Sequence, residues 1–307
     1  MIKIITITLA LGLTSLLMAD ANIPLDKKAM KAKMTEMAGE TSKFNKHEHF
    51  PKEYFLIPKN LPFALSLTLH HPQSSTLGLS KEQIEKLVNI KKERKPSILK
   101  GAKEIKALEL SLVKLLETDE GNKTKVTKEM SELVDKIAQK KAELTKAHLQ
   151  CILDVQNTLT QEQRKKVGSY VGKKAQKEKK GEKQHKVAEL VDLPHPVKIV
   201  LMNKETLKLT KEQTDKVDAQ MLAVFPAKIH GAMDKAEPIE EKIVNAVLKE
   251  QKTKEDLKAD IETLIEIKRA MTNDHIDALN TLHSILTKEQ YAKLLELAEK
   301  KKKSHKY

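Results

Sequence analysis

Leu79-Ser80-Lys81-Glu82-Gln83, Leu159-Thr160-Gln161-Glu162-Gln163, Leu209-Thr210-Lys211-Glu212-Gln213 and Leu286-Thr287-Lys288-Glu289-Gln290 are four near-copies of one pattern. In each, the Ser or Thr hydroxyl is placed to accept from the N–H three residues on, and the Gln can reach back to the capping residue's own N–H. The Leu before the cap can staple onto the first turn. Ile84 and Tyr291 suit Leu79 and Leu286 as staple partners, whereas Arg164 and Thr214 are poorer ones. One capping box is commonplace. Four at regular intervals predict four helix starts in a duplicated chain.

Other features repeat with the boxes. Leu61-Pro62 precedes the first and Leu193-Pro194 the third. Pro96 follows Gln83 at the distance at which Pro226 follows Gln213, with Gly101 and Gly231 equally far beyond. Upstream of the second and fourth boxes a constant shift aligns Met130 with Leu257, Val134 with Ile261, Lys141 with Lys268, Leu144 with Met271 and His148 with His275. The organisation read from this is a secretory signal over 1–21, a flexible arm over 22–60, a first helical unit over 61–172, a Lys-rich linker over 173–192, a second unit over 193–301 and a basic tail over 302–307.

Within the first unit, helices are predicted from Lys81 to Lys95, ending or kinking at Pro96, from Ser97 to Glu117, from Lys128 to Asn157, and from the box at Thr160 through Val171. The second unit is read in the same order: Lys211 to Val224 stopped by Pro226, Ala227 to Lys249 with Pro238 starting or kinking its later part, a third helix capped by Thr253, and Lys288 to Lys301. The segment before the first box reads as a few extended or turn residues, in which Leu65, Leu67 and Leu69 alternate weakly. A helix of about thirty residues spans roughly 45 Å, and its narrow apolar stripe must be covered by another helix. The expected fold is therefore all-α: two tandem elongated helical-hairpin units of about four helices each, complementing one another as an intrachain pseudo-dimer cradle.

Composition agrees with long amphipathic helices. Charged residues make up 33% of the chain, aromatic ones 3%, and Trp is absent. Lys3, the apolar run from Ile4 to Met18 and the small-x-small site Ala19-Asp20-Ala21 have the pattern of a cleavable export signal. The formal net charge is +14. Lysines cluster over 173–186 and again after Glu299. Such a chain attracts acidic partners, whether unfolded acidic polypeptides or a peripheral anionic membrane surface. Nucleic acid is not expected, because no aromatic residues interleave with the basic ones to form a stacking platform. The single Cys, Cys151, allows no intrachain disulfide and reads as a small buried residue.

The paired Leu-Thr-x-x-Gln boxes closing a helical hairpin resemble the LTXXQ-motif family of Spy/CpxP-like periplasmic proteins. The resemblance covers 61–172 once and 193–301 again. It implies a curved four-helix unit that pairs with a second into a thin cradle. It also implies one of three activities: ATP-independent chaperoning, modulation of envelope stress through a sensor kinase, or a response to heavy metals. Carried over, Leu79, Ser80, Gln83, Leu159, Thr160, Gln163, Leu209, Thr210, Gln213, Leu286, Thr287 and Gln290 would hold the helix junctions. Ser80 departs mildly from the usual Thr. Fusing two units in one chain, after a long arm, departs more.

The leading expectation is a periplasmic protein that transiently holds unfolded envelope proteins on an apolar, basic surface without nucleotide. Candidate client contacts are Ile84, Leu87, Ile98, Leu99 and Met130 in the first unit, and Val217, Met221, Ile229 and Leu257 in the second. Taken singly, each reads more readily as ordinary core, since apolar residues at helical spacing usually are. His148 and His275, with Lys141 and Lys268 on the same stripes, are candidates for the seam between units, where His could respond to pH or simply be hydrogen-bonded. The alternative is a regulator that binds a sensor kinase or a divalent metal ion. His47-Glu48-His49 and His70-His71 are its candidate ligands for Zn, Cu or Ni, although no cofactor is otherwise expected. No nucleophile elbow, Gly-rich phosphate loop or zincin motif is present, so an enzyme is not expected.

Overall fold

The computed structural model describes residues 52–58, 61–117, 127–175, 187–191, 193, 196–222 and 224–304. The 1–21 signal, most of the 22–60 arm, most of the Lys-rich linker and the end of the tail lie outside these. The described chain is all-α, with no strand among the described residues. In chain order the helices are α1 (Ala64–His70), α2 (Lys81–Glu117), α3 (Lys128–Thr158), α4 (Gln161–Ala175), α5 (Pro196–Met202), α6 (Lys211–Val217), α7 (Phe225–Glu250), α8 (Lys258–Ile285) and α9 (Lys288–Ser304).

α2 runs antiparallel along α3. The partners descend in order, from Gln83 on Thr158 through Arg94 on Asp154 to Glu104 on Lys140. α7 and α8 form the second such pair, with Lys228 on Asp274 and Lys242 on Asp260. α3 and α8, which the repeat makes equivalent, pack against each other. The largest core accordingly draws on both hairpins: Leu112, Val134, Ile137, Leu149 and Ile152 join Ala236, Ile243, Leu264 and Ile276. A smaller core gathers Val200, Val217, Met221, Leu282, Tyr291 and Leu294 around the boxes of the second unit. Each hairpin is too thin to cover both sides of its apolar stripe, and the other hairpin covers what remains.

Several local expectations are corrected. α2 does not end at Pro96 but runs through it. The ring removes one N–H and leaves the Lys92 carbonyl without its helical partner; both residues are exposed, so water can take that place. The equivalent Pro226 does interrupt the second unit. There the chain widens into a π turn over Asp218–Leu222, and α7 restarts with the proline in its first turn. The difference follows what each preceding turn carries. Met221 is drawn into the smaller core, whereas its counterpart Lys91 stays partly exposed and donates to His70. Pro238 lies inside a continuous α7. Thr253 forms its box with Asp256 one turn ahead of α8, rather than at the helix start itself. The lead-in to the first box is helical, as α1 and a 3-10 turn over Ser74–Leu77, and α5 is its counterpart before the third box.

The expected flexible arm and linker also end earlier than read. Tyr54, Phe55, Leu56 and Ile57 are buried, and so are Val187, Leu190 and Val191. Both segments belong to the folded body.

Candidate functional site

The four boxes form as capping chemistry dictates, and then do something capping does not require. Each cap residue's N–H donates to the Gln Oε1 three residues on: Ser80 to Gln83 at 3.0 Å, Thr160 to Gln163 at 2.9 Å, Thr210 to Gln213 at 3.0 Å and Thr287 to Gln290 at 2.9 Å. The Gln N–H groups donate back to the cap hydroxyls. The side-chain amides then meet in pairs. Gln83 Nε2 donates to Gln163 Oε1 at 2.8 Å, and Gln163 Nε2 returns the bond at 3.2 Å. Gln213 and Gln290 do the same at 2.8 and 3.2 Å.

The remaining amide protons reach backbone carbonyls of the opposite junction. Gln83 donates to Thr158, Gln163 to Leu77 and Gly78, Gln213 to Ile285, and Gln290 to Leu207 and Lys208. Every donor and acceptor of all four amides is used. Two sequence-distant helix starts in each hairpin are thereby clasped together. The turn into each of these clasps needs a left-handed residue just before the box Leu: Gly78 with φ 60° in the first unit and Lys208 with φ 52° in the second.

The seam candidates are buried on α3 and α8, the two helices that pack against each other, each with partners of its own. Lys268, only 1% exposed, pairs with Glu240 of α7 at 2.6 Å and donates to the Leu56 carbonyl at 2.6 Å. Lys141 pairs with Glu109 of α2 at 2.7 Å and donates to the carbonyls of Glu53, at 2.7 Å, and Leu190. Each ammonium is thus taken out of water against a carboxylate and backbone oxygens, without which burial would be prohibitive. His148 packs against the rings of Phe55 and Phe63, at 4.8 and 5.1 Å, in a cluster of three, with Nε2 3.2 Å from the Pro62 carbonyl. His275 packs on Phe225 and sets Nδ1 3.1 Å from Glu189 Oε2.

The client-contact candidates divide. Leu87, Met130 and Leu257 are buried in the larger core and Val217 and Met221 in the smaller, Ile229 is buried as well, and none presents a surface to a client. Helical spacing could not separate them from contact residues, because core and binding stripes share one period. Ile84 is 42% exposed, Leu99 39% exposed and Ile98 half-buried. Leu110, at 58%, and Met202, at 67%, are more exposed than any candidate and had no signal to mark them. Tyr54, Phe55, Leu56 and Ile57 also went unread as structural residues. Their signal was an unbroken apolar run in an otherwise polar stretch.

His70 and His71 do not turn toward a common point. His70 Nε2 takes the Lys91 ammonium at 3.2 Å, and burial, aided by that neighbouring charge, pushes the imidazole below its usual range. His71 stacks on Tyr170 at 4.0 Å and accepts from the Gln73 N–H. Among the described residues no three His, Cys, Asp or Glu side chains gather as a metal site would require; His47, Glu48 and His49 lie outside them. Cys151 is buried, and desolvation, with Asp154 adding to it, pushes its thiol up to about 11. No described helix is long and apolar enough to cross a membrane.

The class defined by this arrangement is an all-α protein of paired helical hairpins clasped by Gln amides. No protein-family model, curated protein or solved structure matches the chain.

Proposed function

We propose that this protein is an exported, ATP-independent chaperone-like binder of unfolded polypeptide. The observation that carries the reading is the outer surface of α2. It presents Ile84, Leu99 and Leu110 to solvent, on a helix whose sequence holds nine Lys and one Arg against six Glu. Apolar side chains set singly in a basic field suit brief capture: the lysines raise the encounter rate with acidic stretches, and each apolar contact is weak enough to release. The resemblance to the LTXXQ-motif family supports the same reading, and the export pattern of residues 1–21 supports a periplasmic location.

The test is suppression of aggregation of a chemically denatured client. Protein in a few-fold excess is expected to reduce light scattering, and Ile84→Ser/Leu99→Ser/Leu110→Ser to lose most of the effect while keeping its helical circular dichroism. No suppression by the unaltered chain would overturn the proposal.

A further inference from the structure

A cleft of about 350 Å³ opens where α2, α3 and the turn into α8 meet. Four cations line it, and they come from all three elements: Arg94 on α2, Lys146 on α3, Lys254 in the turn and Lys258 at the start of α8. Arg94 is held by Asp154 at 2.8 Å, which also accepts from the Gln150 amide at 2.9 Å. That ion pair fixes the guanidinium in place and spends one of its five N–H donors. The turn is set by its own box, in which the Thr253 N–H and hydroxyl both donate to Asp256 at 2.8 Å. Lys254 and Lys258 reach only their exposed neighbours, Glu255 at 3.7 Å and Glu262 at 3.9 Å. Pairs so long and so wet contribute little, and both ammoniums can turn to a ligand at small cost. Lys146 has no carboxylate partner among the described residues.

The internal repeat separates this charge from the needs of packing. The shifts that align the two units place Val224, Asn273, Thr127 and Ser131 at the equivalents of Arg94, Lys146, Lys254 and Lys258. None of those four is charged, so the same hairpin frame is built without cations at its other end. The cleft also carries two carboxylates, Glu143 and Glu255. Cations alone would suit any anion. Cations beside carboxylates suit an anion that brings hydroxyl groups as well, because a hydroxyl donates to a carboxylate. A phosphate ester supplies close to two negative charges and three acceptor oxygens, which Arg and Lys from different elements can meet together. The volume is of the size that holds one small molecule.

We propose that this cleft binds a phosphorylated sugar or polyol, with its phosphate on Arg94, Lys146, Lys254 and Lys258 and its hydroxyls on Glu143 and Glu255. The site is distinct from the exposed apolar side chains of the chaperone reading, none of which lines it, and it stands or falls apart from that reading. The same chemistry occurs on free solutes and on lipid headgroups.

The experiment is isothermal titration calorimetry of the full-length protein, with glucose-1-phosphate as the probe and glucose and inorganic phosphate as comparisons. Saturable binding of the probe is expected, about tenfold or more tighter than that of either comparison, because only the probe engages both sets of groups. Lys146→Ala/Lys258→Ala is expected to weaken it about tenfold or more. Lys103→Ala/Lys136→Ala removes the same charge from exposed positions outside the cleft and should leave the affinity within about twofold. No saturable binding of the probe, or an equal loss in the two double variants, would overturn the site. Phosphatidylcholine vesicles with and without phosphatidylinositol distinguish the two sources. Displacement of the probe by the inositol-bearing vesicles alone assigns the cleft to a lipid headgroup, and no displacement by either assigns it to a free sugar or polyol phosphate.

Discussion

Gln163 carries two duties that a single substitution separates. Glu serves the capping position as well as Gln does, yet it has no N–H to give to Gln83 or to the Leu77 carbonyl. Gln163→Glu is therefore expected to lose about 1–3 kcal/mol of stability at neutral pH, read from urea denaturation. An unchanged midpoint would mean that capping alone matters. The residue before the third box makes a second case. Lys208 holds a left-handed backbone that its counterpart Gly78 adopts without steric strain. Lys208→Gly should raise stability by about 0.5–1 kcal/mol, the relief of the Cβ clash less the entropy glycine adds to the unfolded chain. A fall in the urea midpoint would count against that reading.

Helices in the two halves resolve the same sequence signals differently. Gly101 lies where α2 comes close to α3; a Cβ there would sit 2.8 Å from Leu144 Cδ2. At the repeat-equivalent Gly231 nothing lies within 4 Å. Gly231→Ala is expected to stabilise by about 0.5–1 kcal/mol through helix propensity. Gly101→Ala should gain nothing or lose stability, since Leu144 is itself buried and must move. Equal gains in thermal midpoint would show that the close approach does not matter. The prolines divide in the same way. The sequence pattern marks Pro96 as an end or a kink and Pro226 as a stop; the helix continues through the first, and only the second interrupts it, where Met221 is drawn into a core. Local sequence states the strain; tertiary contacts choose how it is relieved.

Across the molecule, each hairpin carries an ion pair between its own two helices that burial would not tolerate unpaired. Lys268 and Glu240 are both almost wholly buried. Lys268→Met leaves Glu240 inside without its partner and is expected to cost about 3–5 kcal/mol. Lys268→Met/Glu240→Leu should recover most of that loss, because a buried pair replaced by apolar side chains of similar size is often neutral. Urea denaturation of the two variants and the unaltered chain checks this; a double variant as unstable as the single one would mean that the pair itself stabilises the α7–α8 hairpin. Lys141 and Lys268 were legible as stripe residues from their place in the repeat. Their partners were not. Glu53, Leu56 and Leu190 come from segments whose polar and lysine-rich surroundings read as arm and linker.

By itself the sequence determined the all-α class, the duplication and the starts of the box-led helices. Each rests on short-range chemistry: a hydroxyl and an amide three residues apart, and an apolar stripe of helical period. Only the tertiary structure decided that the Gln amides clasp one another in pairs, that most of the apolar stripe residues are core, and that two irregular segments, 53–57 and 187–191, pack into that core. Those outcomes depend on which distant groups come within hydrogen-bonding or packing distance, and that is a property of the assembled fold rather than of any stretch of chain.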